Sequence, residues 1–130
     1  MKCLDTDLLV GILRGKAEAQ RKMDDLDLHG KCGTTSVNAF ELFYGAFRSK
    51  EERENVEETK RLLDRLEVFP FETNASAEAG QSLASLAKRG EAIDYRDAMV
   101  AAIAKINGLT LVTRNRGHFS RIRGLQLESW

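Results

Sequence analysis

Three acids stand out by where they fall in the chain. Asp5 closes the short apolar run Cys3-Leu4. Glu41 sits inside the dense apolar segment Val37 to Tyr44. Asp97 lies near the start of an alanine-rich stretch that runs to Asn107. Carboxylates brought together repel, and a hard divalent cation such as Mg2+ or Mn2+ relieves the repulsion because it prefers carboxylate and water oxygens. Such a site activates water and steadies the leaving oxygen of a phosphodiester, in the manner of nuclease sites that hold metals roughly 3.5–4 Å apart. Each acid also has a plainer explanation. Asp5 could cap the helix that follows it, although Thr6 is available for the same task. Asp97 stands three residues after Asp94, a spacing that resembles a capping box with a shorter acid. Glu41 could face solvent. If it is buried it needs a positive partner, since glutamate is almost never buried unpaired, and its helical neighbours Val37 and Tyr44 offer none.

A second group follows the run Leu109-Thr110-Leu111-Val112. Thr113 and Asn115 could position a phosphate or a metal-bound water, although an asparagine there is also ordinary turn chemistry. From Arg114 to Arg123 there are four arginines, one histidine and no acid. Arginine forks suit phosphate groups and stack on bases, so Arg114 and Arg116 are candidates to hold a nucleic-acid backbone. The alternative is a solvated loop whose arginines pair with nearby acids. Zinc is not expected, because His29 and His118 are far apart and Cys3 and Cys32 have no ligand spacing. Both cysteines fall in apparent strands and read as buried thiols. No glycine-rich phosphate loop or serine-centred nucleophile motif is present.

The elements that must position these residues alternate. Strands are expected at Met1–Leu4, Cys32–Ser36, Val68–Phe71, Leu109–Val112 and Leu125–Glu128, the third an edge strand because of Pro70. Helices are expected between them: a short one after Asp5 that ends at Gly15, an exposed one over 16–28, and one carrying Val37, Phe40, Tyr44 and Phe47 on its apolar face. Three more follow: an amphipathic helix in Ser49–Glu67, one over Ala75–Lys88, and a buried one over Asp94–Asn107. That alternation implies parallel βαβ units and a three-layer α/β/α sandwich with a short, mostly parallel central sheet. Open parallel sheets bind ligands beyond the carboxyl ends of their strands, which is where Asp5 and Thr113 to Asn115 fall. The 130 residues suffice for one domain over 1–130. Twenty basic and twenty acidic side chains leave no net charge, so nucleic acid would have to be attracted by a local patch. Asp5 and Asp7 interrupt the N-terminal apolar run, so no signal peptide is expected. No stretch is long enough to span a membrane, and the expected location is the cytoplasm.

Taken in order, the segments resemble the PIN-domain family. Leu4-Asp5-Thr6-Asp7 is similar to its opening "LDTN", Glu41-Leu42-Phe43-Tyr44-Gly45 to its second acidic motif, and Asp97-Ala98-Met99-Val100-Ala101-Ala102 to its third, "DxxIAA". Leu111-Val112-Thr113-Arg114-Asn115 with His118-Phe119 is similar to the segment holding its fourth position. Within the family, the chain resembles VapC-type toxins. The resemblance implies an Mg2+- or Mn2+-dependent endoribonuclease, restrained by a small VapB-like antitoxin and dimeric. Asp5 and Asp97 would be the main metal ligands, Glu41 would complete the acidic cluster, and Asn115 would stand at the fourth position. Asp7 replaces the common Asn, Asn115 is neutral where several members carry Asp, and His118 stands where many have Asp. Rival readings are a PIN nuclease of RNA maturation or DNA processing, a PIN module that binds RNA without cutting it, and a phosphate-accepting receiver domain. The receiver would need a lysine beyond the last core strand, where this chain has Arg114 and Asn115.

Overall fold

The computed structural model describes residues 1–130. Five strands of three residues each form one parallel sheet: β1 (Lys2–Leu4), β2 (Gly33–Thr35), β3 (Glu67–Phe69), β4 (Thr110–Val112) and β5 (Gln126–Glu128), in the order β3-β2-β1-β4-β5. The expectation of a mostly parallel sheet holds in full. Helices α1 (Thr6–Leu13), α2 (Ala17–Asp27), α3 (Ser36–Phe47), α4 (Glu52–Asp64), α5 (Thr73–Lys88) and α6 (Tyr95–Ile106) connect the strands, and the single turn α7 (Arg116–Phe119) follows β4.

Successive side chains of a strand point to opposite faces, and this divides the core in two. Leu4 and Val112 join Leu8, Leu9, Met23, Leu26 and Leu62 on the face covered by α1, α2 and α4. Cys3 and Leu111 join Leu86, Val100, Ala104 and Phe119 on the face covered by α5, α6 and α7. The result is three layers. Helix α6 is buried over most of its circumference, from Ala98 through Ala104, because its alanines let it lie close to both the sheet and α5. Gly108, at φ 65°, ends it in the left-handed conformation that favours glycine. Strand β3 is an exposed edge, as Pro70 implies.

One expectation about packing is corrected. Helix α3 does not turn Phe40, Tyr44 and Phe47 inward; all three are more than half exposed, and the buried line is Asn38, Leu42 and Ala46. Asn38 is hydrogen-bonded beneath the sheet's rim, and that bond sets the rotation of the helix. Cys3 and Cys32 are free and buried. No helix is long and apolar enough to cross a membrane.

Candidate acidic active site

The strand order reverses at β1: the chain runs from β1 outward to β2 and β3, then returns to place β4 on the other side. Such a switch point opens a crevice at the carboxyl ends of the strands. Asp5 follows β1 there and Thr113 follows β4. The Asp5 amide donates to the Val112 carbonyl at 3.1 Å, extending the ladder one step past the strands. A cleft of about 490 Å³ lies above this point, lined by Asp5, Asp7, Glu41, Asp97, Arg114 and Asn115 among others. Residues far apart in sequence are thus brought to one site.

Asp5 stands at the N-cap position of α1 but makes no side-chain capping bond, which disposes of the plainer explanation for it. Its carboxylate is instead fixed by neutral donors: Thr113 Oγ1 at 2.7 Å on one oxygen and Asn38 Nδ2 at 3.0 Å on the other. The residue is 9% exposed. Burial pushes its pKa from 3.8 up to about 6, with the charge of Asp7 adding to the rise and the Thr113 hydrogen bond opposing it.

Asp94, not Asp97, caps α6, accepting from the Arg96 amide at 2.8 Å. The Asp97 carboxylate is left to face the cleft and meets His118 Nδ1 at 3.1 Å; the same nitrogen lies 3.2 Å from Asn115 Nδ2. His118, for which the sequence suggested no role, therefore bridges the third and fourth positions. Glu41 is half-buried. It accepts from Thr6 Oγ1 at 2.9 Å and lies 3.5 Å from Arg96 Nη1. The cation that a buried Glu41 required is thus supplied, at least in part, by the residue beside Asp97.

Two substrate-contact expectations are revised. Thr113 is fully buried and donates to Asp5 while accepting from the Asn115 amide at 3.0 Å, so it positions Asp5 and does not line the cleft. Arg116 is exposed but turned to Ser129 Oγ at 2.9 Å, and it too lies outside the cleft lining. Asp7 is occupied by the Trp130 indole at 3.0 Å and the Arg114 amide at 2.9 Å, so it is a structural anchor. Asn38, Arg96 and Trp130 escaped the sequence reading. Only Asn38 carried a signal, as a polar residue three positions before Glu41 and so on the same helical face.

The expected tight acidic cluster is present only as a shared cleft. No group of three or more His, Cys, Asp or Glu side chains is placed to ligate one ion together, because Glu41 and Asp97 are each drawn to a basic neighbour. Asp5 is the exception, a buried carboxylate whose direct partners are all neutral. Its pKa is raised first by burial, and Thr6, Glu41, Asp97 and Asn115 bring further oxygens to a cleft that Arg14, Lys16 and Arg114 also line. That chemistry fits a hard divalent cation, with which the Arg96 and His118 contacts would compete.

A three-layer fold with an acidic crevice at the reversal of a short parallel sheet is the architecture of the PIN domain. Residues 2–125 match the PIN domain family model, and the chain belongs to that family. Its relatives are VapC proteins. It is 34% identical to the tRNA(fMet)-specific endonuclease VapC of Salmonella typhimurium, over 98% of this chain and 96% of that protein. It is 30% identical to ribonuclease VapC2 of Haemophilus influenzae over the same shares. Among solved structures, it superposes with TM-score 0.90 and 28% identity on VapBC2 from Rickettsia felis bound to a promoter DNA fragment, covering 99% of this chain and 98% of that one. For DNA-bound VapBC from Salmonella typhimurium the TM-score is 0.88 and the identity 33%, over 100% and 99%.

Proposed function

We propose that this VapC-type PIN protein is a divalent-cation-dependent endoribonuclease, the toxin of a pair with a VapB-like antitoxin, acting in the cytoplasm with residues 1–130 as one catalytic unit. The single observation that carries the proposal is the buried, cationless carboxylate of Asp5 in one cleft with Glu41, Asp97 and Asn115. Asp5 and Asp97 would hold the ion, Mg2+ with Mn2+ able to replace it, and Glu41 and Asn115 would complete its surroundings. When bound, the ion supplies a Lewis acid and a water made acidic enough to attack phosphorus near neutral pH.

The chain's own groups do the rest. Thr113 and Asn38 fix the two Asp5 oxygens, so the main anionic group is rigid before substrate arrives. His118 holds Asp97 at the opposite wall, and the Asn115 amide offers a neutral donor to a phosphate oxygen without adding to the acidic repulsion. In-line attack on an RNA phosphodiester with departure of the 3′ oxygen leaves a 5′-phosphate end.

The partners have support on the surface and among the relatives. Phe40 and Tyr44 stack with centroids 6.1 Å apart and, with Phe47, leave an exposed apolar face on α3; such patches mark protein interfaces, and a homodimer or an antitoxin helix would cover it. The two structural relatives described above are VapBC assemblies. A second reading, a PIN module that binds RNA without cutting it, is favoured by the pairing of Glu41 with Arg96 and of Asp97 with His118.

Incubation of the purified protein with total RNA, in Mg2+ and in EDTA, followed by end mapping, separates the two. The proposal expects discrete 5′-phosphate ends only with Mg2+ and none from Asp97→Asn. Equal cleavage in EDTA, or no cleavage in Mg2+, contradicts it.

A further inference from the structure

Arg114 was expected to grip phosphate with its fork, but the structure commits the fork elsewhere. Its Nε donates to the main-chain oxygen of Trp130 at 3.1 Å, and its Nη2 pairs with Glu18 near the start of α2. No edge of the guanidinium keeps both nitrogens free, so a bidentate phosphate grip is not available. The plane itself lies over the Trp130 indole, with Cζ 3.6 Å from the ring centroid. Trp130 is in turn fixed: its indole N–H donates to Asp7 at 3.0 Å, and its ring rests against α1, where a Cβ on Gly11 would lie 3.4 Å away. Asp7 closes the circuit by accepting from the Arg114 amide.

One face of the guanidinium is thus covered and its edges are largely engaged, yet the side chain remains 47% exposed. With the indole on one face, the guanidinium is left its opposite face for a ligand, and Arg114 and Trp130 both line the cleft that holds Asp5, Glu41 and Asp97. A delocalised planar cation presents a good stacking surface to a nucleobase. Here it is already held flat, so little side-chain freedom is lost on binding.

We propose that the stacked Arg114–Trp130 pair is a nucleobase platform: one base of single-stranded RNA lies on the outer face of Arg114, and this sets the adjoining phosphodiester beside Asp5 and Asp97. The inference deepens the ribonuclease proposal by naming a substrate subsite, and it rests on that proposal. Stacking does not read base edges, so the platform accepts any base, purines best because of their area.

Trp130 is the only tryptophan, so its fluorescence reports on the platform directly. The test titrates a six-nucleotide oligoadenylate, and the same ribose-phosphate backbone with abasic positions, into the protein in EDTA, where binding is read without the ion. The platform predicts saturable quenching by oligoadenylate and binding about ten-fold weaker for the abasic strand, the worth of one base–side-chain stack. Arg114→Lys keeps the charge and loses the plane; it should bind both strands alike, at the abasic strand's affinity, while still unfolding in one cooperative transition that shows it is folded. Equal affinity of the wild-type protein for the two strands, unperturbed Trp130 emission, or full base preference in Arg114→Lys would overturn it. Cleavage of total RNA by the wild-type protein in Mg2+ is scored separately, so the nuclease proposal survives or fails by its own result.

Discussion

Replacing Asp5 by Asn should abolish activity and yet make the metal-free protein more stable. The buried carboxylate has a folded-state pKa of about 6 against an ordinary 3.8. Below pH 3.8 both folded and unfolded chains carry the proton and Asp5 contributes nothing. Between 3.8 and 6 the unfolded chain has released the proton while the folded protein retains it, so stability falls as pH rises, and the full penalty is present above pH 6. At ~1.4 kcal/mol per pKa unit that penalty is ~3 kcal/mol. Asn has nearly the same shape and no charge. Its Oδ1 can accept from Asn38, its amide can donate to Thr113 Oγ1, and the threonine hydroxyl can turn to Asp7, 3.3 Å away. Urea unfolding of both proteins in EDTA, at pH 4 and pH 8, isolates the effect, because every other titrating group is common to the pair. Because the unfolded chain is already partly ionised at pH 4, the stability advantage of Asp5→Asn should grow by ~2.5 kcal/mol between the two pH values. An advantage that does not change with pH would refute the reasoning, since it would mean that the Asp5 charge is already balanced within the folded protein.

Thr113→Val removes the donor to Asp5 and the acceptor of the Asn115 amide; urea unfolding should show a loss of about 1–3 kcal/mol, the cost of buried groups left unsatisfied, together with a fall in RNA cleavage. Arg96→Ala removes a positive charge from the rim beside Glu41, so calorimetry should find Mn2+ bound about two- to five-fold tighter, the scale of an exposed ion pair; weaker binding would show that Arg96 does not oppose the cation. Cys3 is buried and its pKa is pushed up to about 12, chiefly by that burial, and Cys32 is raised for the same first reason. Neither thiol should react with an aromatic disulfide reagent until urea unfolds the protein, and rapid labelling in buffer would show that the strands open readily.

Much of the scaffold is written in local pattern. The strands before β5 are short apolar or threonine-rich runs, each followed by a helix, so the alternation, the parallel sheet and the placement of Asp5 and Thr113 at the strand ends follow from the chain itself. Asp97 stands out by its place in the first turn of the buried alanine-rich helix, while its spacing from Asp94 leaves a capping pair equally open. What local pattern does not contain is the rotation of α3. Hydrophobicity favours burying Phe40, Tyr44 and Phe47, but the bonds from Asn38 to Asp5 and Thr6 hold the opposite face against the sheet, and those partners are more than thirty residues away. The same limit hid the work of Arg114. A run of arginines reads as a phosphate patch, whereas Trp130, Glu18 and Asp7 meet it only through the tertiary fold. Arg96 was passed over because its target, Glu41, belongs to another helix.

The proposed cation seat is Asp5, with Asp97 and Glu41 at its rim. Crystals of the protein soaked in Mn2+ and measured for anomalous scattering test it directly. A peak in the cleft within bonding distance of the Asp5 and Asp97 carboxylates, absent from Asp5→Asn crystals, is the predicted result. Mn2+ bound elsewhere with the cleft empty, or a peak in the cleft that survives Asp5→Asn undiminished, would contradict it.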